Sequence, residues 1–303
     1  ALQRIGMVRD ARWTDFDQDG QTDLLLVGEW MPITFFKNEG GKLTRFEPIV
    51  EEENGETITH TDGWWFHANA ADLDGDGDED YILGNLGRNA ALQASQEKPL
   101  QLYAADFDEN EALDPLLVAY RGEQQYVVHQ RDVLIDQIPG MKRRFPKYAL
   151  YGEADLDHTL SQKEQESARI FEAHMLHSCW LENVDGQTFR LHELPLEAQF
   201  SPLMASLVTD INEDGQPDVL AVGNFEAAET TLFGYYDASY GTVLLNQSGH
   251  FQSLNPLRTG FVVPGDARSL QGIQLANGSR LLLAGQHGGE LLTFRQGQEK
   301  LVD

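Results

Sequence analysis

The chain has 303 residues, 41% of them hydrophobic and 10% aromatic, enough to bury a sizeable core and too apolar for a disordered chain. It carries 49 Asp and Glu against 22 Lys and Arg, a formal net charge of −27 that argues against nucleic acid or anionic membranes as partners. One cysteine, Cys179, rules out an internal disulfide, and no segment approaches the ~18 apolar residues of a membrane span.

Along the chain one unit recurs. Asp15-Phe-Asp17-Gln-Asp19-Gly20-Gln21-Thr-Asp23 leads into the apolar run Leu24–Val27 and then Gly28. Asp72-Leu-Asp74-Gly-Asp76-Gly77-Asp78-Glu-Asp80 leads into Tyr81–Leu83 and Gly84. Asp106-Phe-Asp108-Glu-Asn110-Glu111-Ala112-Leu-Asp114 leads into Pro115–Tyr120. Asp210-Ile-Asn212-Glu-Asp214-Gly215-Gln216-Pro-Asp218 leads into Val219–Val222 and Gly223. A fifth copy, around Asn277-Gly278, keeps a tight-hairpin signal but not the acids.

Short apolar runs bounded by Gly read as buried strands, so each acidic segment is the turn of a hairpin. Second hairpins follow at Pro32–Phe46, Trp180–Leu191 and Thr242–Leu254. Two hairpins per unit make a four-stranded sheet, and repeated four-stranded sheets predict propeller blades. The expected architecture is one all-β domain over 1–303, about five units visible, with a helical insertion at about 131–177. Within that insertion Ser161 and Glu164 have capping-box spacing.

The spacing of the acids predicts calcium. A hard cation takes six to eight oxygens in a flexible shell. A turn with Asp or Asn at positions 1, 3 and 5 directs three side chains at one centre. Position 7 adds a backbone carbonyl, and a carboxylate at position 9 closes the shell. Gly at position 6 permits the positive φ of the bend. The predicted ligands are Asp15, Asp17, Asp19, Gln21 and Asp23, then Asp72, Asp74, Asp76, Asp78 and Asp80, and again Asp210, Asn212, Asp214, Gln216 and Asp218. A fourth site, on Asp106, Asp108, Asn110, Ala112 and Asp114, is weaker in pattern because Glu111 stands where Gly is expected. Ca²⁺ is thus the expected cofactor at three loops, with 106–114 in addition. Four carboxylates within nine residues repel one another unless a cation joins them.

These loops with their flanking strands resemble the FG-GAP/VCBS repeat family of calcium-binding, integrin α-like β-propellers. Gly28-Glu-Trp30, Gly84-Asn-Leu-Gly87, Asp136-Gln-Ile-Pro139-Gly140 and Leu196–Ser201 are similar to bacterial proteins of the cartilage-acidic-protein-like type. The resemblance implies an extracytoplasmic propeller, secreted, periplasmic or at the cell surface, with any signal peptide lying outside this sequence. The family commonly has seven blades, so the chain is either part of a longer ring or a smaller ring.

Other features have plainer readings. His174 and His177 lie three apart near a helix end, but sequence places no third zinc ligand beside them, so packing is the preferred role. The basic cluster Lys142, Arg143, Arg144 and Lys147 is expected to pair locally. Trp64-Trp65-Phe66 and Tyr235, Tyr236 and Tyr240 are expected in core or rim packing, with sugar stacking as the alternative. No Walker loop, nucleophile elbow or zinc-protease motif occurs. The expected function is a non-catalytic binding, adhesion or scaffold module for protein or glycan, and the alternative is a polysaccharide-active enzyme or its substrate-binding subunit.

Overall fold

The computed structural model describes residues 2–228 and 233–295. The first blade runs Met7–Thr14, Asp23–Met31, Thr34–Asn38 and Leu43–Phe46 in spatial order, each strand antiparallel to the next. The third blade repeats this with Leu203–Thr209, Asp218–Gly223, Thr242–Gln247 and His250–Leu254. The fourth shows Ala267–Gln274, Arg280–Gln286 and Leu292–Arg295 among the described residues. Its first turn is the Asn277-Gly278 hairpin, with Gly278 at φ 83°.

The second blade is built differently. His67–Ala71 and Asp80–Gly84 form its first hairpin, while Cys179–Asn183 and Thr188–Glu193 form its second. Ile49–Glu52 adds a parallel strand at its outer edge. Between Gly84 and Cys179 lies a separate sheet of four strands, Leu100–Ala105, Asp114–Arg121, Gln124–Val127 and Arg169–Ala173. The 106–114 unit therefore belongs to this nested sheet and is not a blade in series. That nesting explains the long gap between the loops starting at 72 and 210.

The insertion expected at about 131–177 is helical only in part. Five short helices fall within residues 131–167, and Arg169–Ala173 returns as the edge strand of the nested sheet. The capping box is present. Ser161 Oγ accepts the Glu164 N–H, and a Glu164 carboxylate oxygen accepts the Ser161 N–H. Leu134, Ile138, Met141, Phe145, Leu156 and Leu160 fold over Tyr103, Leu116 and Val118 of the nested sheet as a core of their own.

First strands of the four blades stand side by side, Met7–Thr14 against His67–Ala71, then Leu203–Thr209, then Ala267–Gln274. This is the propeller-like arrangement expected from the repeats. The strand after each acidic loop is packed on both faces, which is why its sequence is a continuous apolar run. Leu220 and Val222 face the fourth blade, and Val219 and Ala221 face the second. Between the first two blades, Phe16, Leu25, Phe35, Trp65, Tyr81 and Phe189 are among the side chains filling the largest core. Each fully buried side chain of this size contributes about 1.5–3 kcal/mol.

Candidate metal centre

All four acidic loops adopt one backbone. The N–H of position 6 donates to the position-1 carboxylate in every copy, Gly20 to Asp15 at 3.0 Å, Gly77 to Asp72 at 3.1 Å, Glu111 to Asp106 at 2.8 Å and Gly215 to Asp210 at 2.9 Å. The N–H of position 7 donates to the side-chain oxygen of position 5, Asp19, Asp76, Asn110 or Asp214. Position 6 has positive φ, as the glycines foretell, and Glu111 is forced into the same region at 68°. Holding a non-Gly residue there costs about 1–2 kcal/mol. Position 4 has positive φ as well, at Gln18, Gly75, Glu109 and Glu213, a requirement the sequence reading did not register.

These turns gather carboxylates. Asp15, Asp17 and Asp19 each bring one oxygen to within 4.8 Å of the others, as do Asp72, Asp74 and Asp80, and Asp106, Asp108 and Asp114. In the fourth loop the Asn212 amide nitrogen donates to Asp214 at 2.9 Å, so that side chain is turned toward a neighbouring acid. Buried oxygens of Asp15, Asp23, Asp78 and Asp108 have no hydrogen-bond donor. A buried carboxylate oxygen without a donor is costly, and a cation supplies the missing partner. The donor set is all oxygen, which fits Ca²⁺ better than a softer ion.

Position 9 is the buried foot of each loop. Asp23, Asp80, Asp114 and Asp218 are all buried. Asp80, Asp114 and Asp218 accept the N–H of position 2 on one oxygen. Asp23, Asp80 and Asp218 accept the N–H of Asn38, Asn183 or Asn246 on the other. Burial holds all four carboxyls above the usual range, and the other loop acids add to it. Asp80 reaches about 7, chiefly by burial, and so does Asp78, where Asp76 and Asp74 add their charge.

The three asparagines begin a second repeated motif, Asn-x-x-Gly, which latches loop to blade. Asn183, in the second blade, donates its amide to the Phe16 carbonyl in the first blade's loop at 2.8 Å. Asn246, in the third blade, reaches the Leu73 carbonyl in the second blade's loop. A Cβ on Gly186 would stand 3.0 Å from Asp17 Cα, so the hairpin lies directly on the loop. The acidic loops therefore sit at blade-to-blade seams. Sequence placed these hairpins but not their contact with the preceding loop.

Lys37 was also missed. It lies on the strand beside the first loop and bonds Asp17, with Asp19 at 3.3 Å. Asp19 is lowered by the Gln21 N–H and by this ammonium.

Residues 15–83 match the FG-GAP-like repeat family. That stretch holds the first two acidic loops and the strands after them, the same features that suggested the family in the sequence. No curated protein matches the chain. Among solved structures, an Agrocybe aegerita lectin, described as recognising non-reducing terminal N-acetylglucosamine, aligns over 96% of this chain and 81% of its own. The identity is 14% and the TM-score 0.21, and no ligand is inferred from it.

The remaining candidates resolve simply. Cys179 is buried, and burial pushes its thiol far up, so it is inert. Arg144 pairs with Glu164 and the Thr159 carbonyl, the local pairing expected of the basic cluster. Trp65 and Tyr236 are buried, Trp64 packs edge-on against Trp30, and Tyr235 and Tyr240 are exposed.

Proposed function

We propose that this chain is a calcium-stabilised, non-catalytic module that works outside the cytoplasm and binds a protein or a glycan. The observation that carries this reading is the set of unpartnered carboxylate oxygens buried in loops at the blade seams. Calcium there would supply charge neutralisation and a crosslink, with Asp15, Asp17, Asp19 and Asp23, and Asp72, Asp74, Asp76 and Asp80, as the main ligands. Asp210, Asn212, Asp214 and Asp218, and Asp106, Asp108, Asn110 and Asp114, follow. The FG-GAP-like match over 15–83 supports the same role. Extracellular modules use sites with Kd near 10⁻⁴–10⁻³ M, which the calcium outside cells fills.

A place for a ligand exists on the outer side of the second blade. An open cleft of about 470 Å³ is lined by Glu53, Asn54, Gly55, Arg190, His192 and His250. Its mixed donors and acceptors suit hydroxyl-rich or peptide ligands.

The enzyme alternative has less support. Two acids do stand at that cleft, but His192 lies between them, 3.0 Å from Glu53 and 2.7 Å from Glu182, where a glycosidase would need substrate and water. Asp10, His67 and Ser206 form a hydrogen-bonded row, His67 Nδ1 to Asp10 at 3.0 Å and Nε2 to Ser206 Oγ at 2.9 Å. The Ser206 backbone N–H donates to that same Nε2 at 2.9 Å, which occupies the lone pair a general base would use. The row ties three inner strands together.

Thermal unfolding in EDTA, in millimolar CaCl₂ and in MgCl₂ tests the reading. Binding to the native state raises Tm by mass action, so a calcium-specific rise is expected. No rise, in protein shown to be metal-free at the start, would overturn it.

A further inference from the structure

His174 was paired with His177 by sequence, but the structure gives it different neighbours. It follows the edge strand Arg169–Ala173 of the nested sheet and is only 6% exposed. Its Nδ1 lies 3.1 Å from the Gln96 carbonyl. A carbonyl only accepts, so Nδ1 carries the proton and Nε2 presents a lone pair. That Nε2 is buried and has no hydrogen-bond partner.

What Nε2 faces is a carboxylate. Glu172 Oε2 is 3.5 Å away. With metal–ligand bonds of 2.0–2.2 Å, two corners of a tetrahedral zinc shell are roughly 3.3–3.5 Å apart. The other Glu172 oxygen accepts from Gln101 Nε2 at 2.7 Å, which fixes the carboxylate plane. Both donors thus have the outer hydrogen bonds that orient metal ligands.

From the first blade's side come His60 and Asp62. The Asp62 carbonyl accepts the N–H groups of His174 and Met175 at 2.8 and 3.1 Å. The His60 ring stacks flat on His174, centroids 4.2 Å apart and planes 12° apart, with Nδ1 4.0 Å from the Asp62 carboxylate. Gln96 clasps the His60 backbone on both sides, at 3.2 and 2.8 Å. One glutamine therefore sets both imidazoles.

We propose that Glu172 and His174, with Asp62 as third ligand and the His60 ring as cover, bind a divalent transition cation of the zinc class and staple the nested sheet to the loop leading into Gly63–Trp64. An imidazole nitrogen with carboxylates selects zinc-class ions over calcium, which prefers oxygen alone. The site is independent of the acidic loops and of the reading given to them.

Untagged, metal-stripped protein in saturating CaCl₂ is titrated with ZnCl₂ by calorimetry, and with CoCl₂ by visible absorption. One equivalent of zinc is expected, with the intense visible band of tetrahedral cobalt. H174N and E172Q each weaken binding about tenfold or more. E172Q changes a residue whose side chain is 40% exposed, so it tests the site even where H174N fails to fold. Absence of zinc uptake at micromolar concentrations, or uptake unchanged in E172Q, overturns the proposal.

Discussion

The loops at 15–23 and 72–80 share a backbone but not a charge balance. In the first, Lys37 lies among the acids and bonds Asp17 and Asp19. In the second no cation from the protein enters, and Asp78 and Asp80 are driven to about 7 by burial and by each other's neighbours. Identical turn geometry thus leaves one loop partly neutralised from within and the other dependent on protons or a metal. Spacing of acids identifies where a cation fits. The residue opposite decides how much the fold needs one.

The largest test of this contrast is to remove the ligands of each loop in turn. D72N/D74N/D76N should abolish more of the calcium-induced rise in Tm than D15N/D17N/D19N. A site saturated a hundredfold over its Kd contributes ~2.7 kcal/mol. At about 2–4 °C per kcal/mol this is roughly 5–10 °C for the second loop. Equal losses in the two triple variants, read by scanning calorimetry in CaCl₂, would show that Lys37 does not matter. In EDTA the sign reverses for the second loop, because Asn removes the repulsion among its acids.

Next in size are the latches. Asn183 and Asn246 are buried, and each joins a loop carbonyl to the next blade. N183A or N246A leaves a buried carbonyl unsatisfied, at a cost of about 1–3 kcal/mol. N246A, which frees the loop lacking a lysine, is expected to lower calcium affinity more than N183A does. Equal affinities in calorimetric titrations would mean that the seams do not transmit the difference.

How much of this the sequence carried follows from locality. Ligand positions, the Gly turn and the doubly buried strand after it all lie within about fifteen residues, and each was readable. The nested sheet was not, because nothing local says that Asp80–Gly84 waits for Cys179–Asn183 to pair. Arg169–Ala173 was taken for helix because the good helix formers of 162–167 run straight into it. His60 lies far from His174 in the chain and meets it only through the fold. Lys37 was in plain view as part of a hairpin, yet only strand pairing shows which loop it faces.

A smaller effect concerns pH in metal-free protein. The folded-state values of Asp78 and Asp80 lie above the unfolded value near 3.8. Between those limits the folded state holds protons that the unfolded state has released. Stability in EDTA therefore falls as pH rises from about 4 through 7. After solvent screening the change is roughly 1 kcal/mol between pH 5.5 and 8. D78N should flatten the slope, whereas D19N, in the loop with the lysine, should leave it in place. Urea midpoints at the two pH values decide it.

The smallest predicted effect isolates the lysine itself. K37M keeps the aliphatic stem that packs on the strand and removes only the ammonium from Asp17 and Asp19. Two consequences have opposite sign. In EDTA the first loop loses its internal cation and the protein is destabilised, by no more than the ~1 kcal/mol of a partly exposed ion pair. In calcium the ion no longer competes with Nζ, and affinity at this loop rises by about threefold to fivefold, the equivalent of that same energy. The two loops then converge in affinity, which direct titration of D72N/D74N/D76N with and without K37M would read. If K37M leaves calcium affinity unchanged, the lysine lies outside the cation's position and the contrast between the loops must come from burial alone.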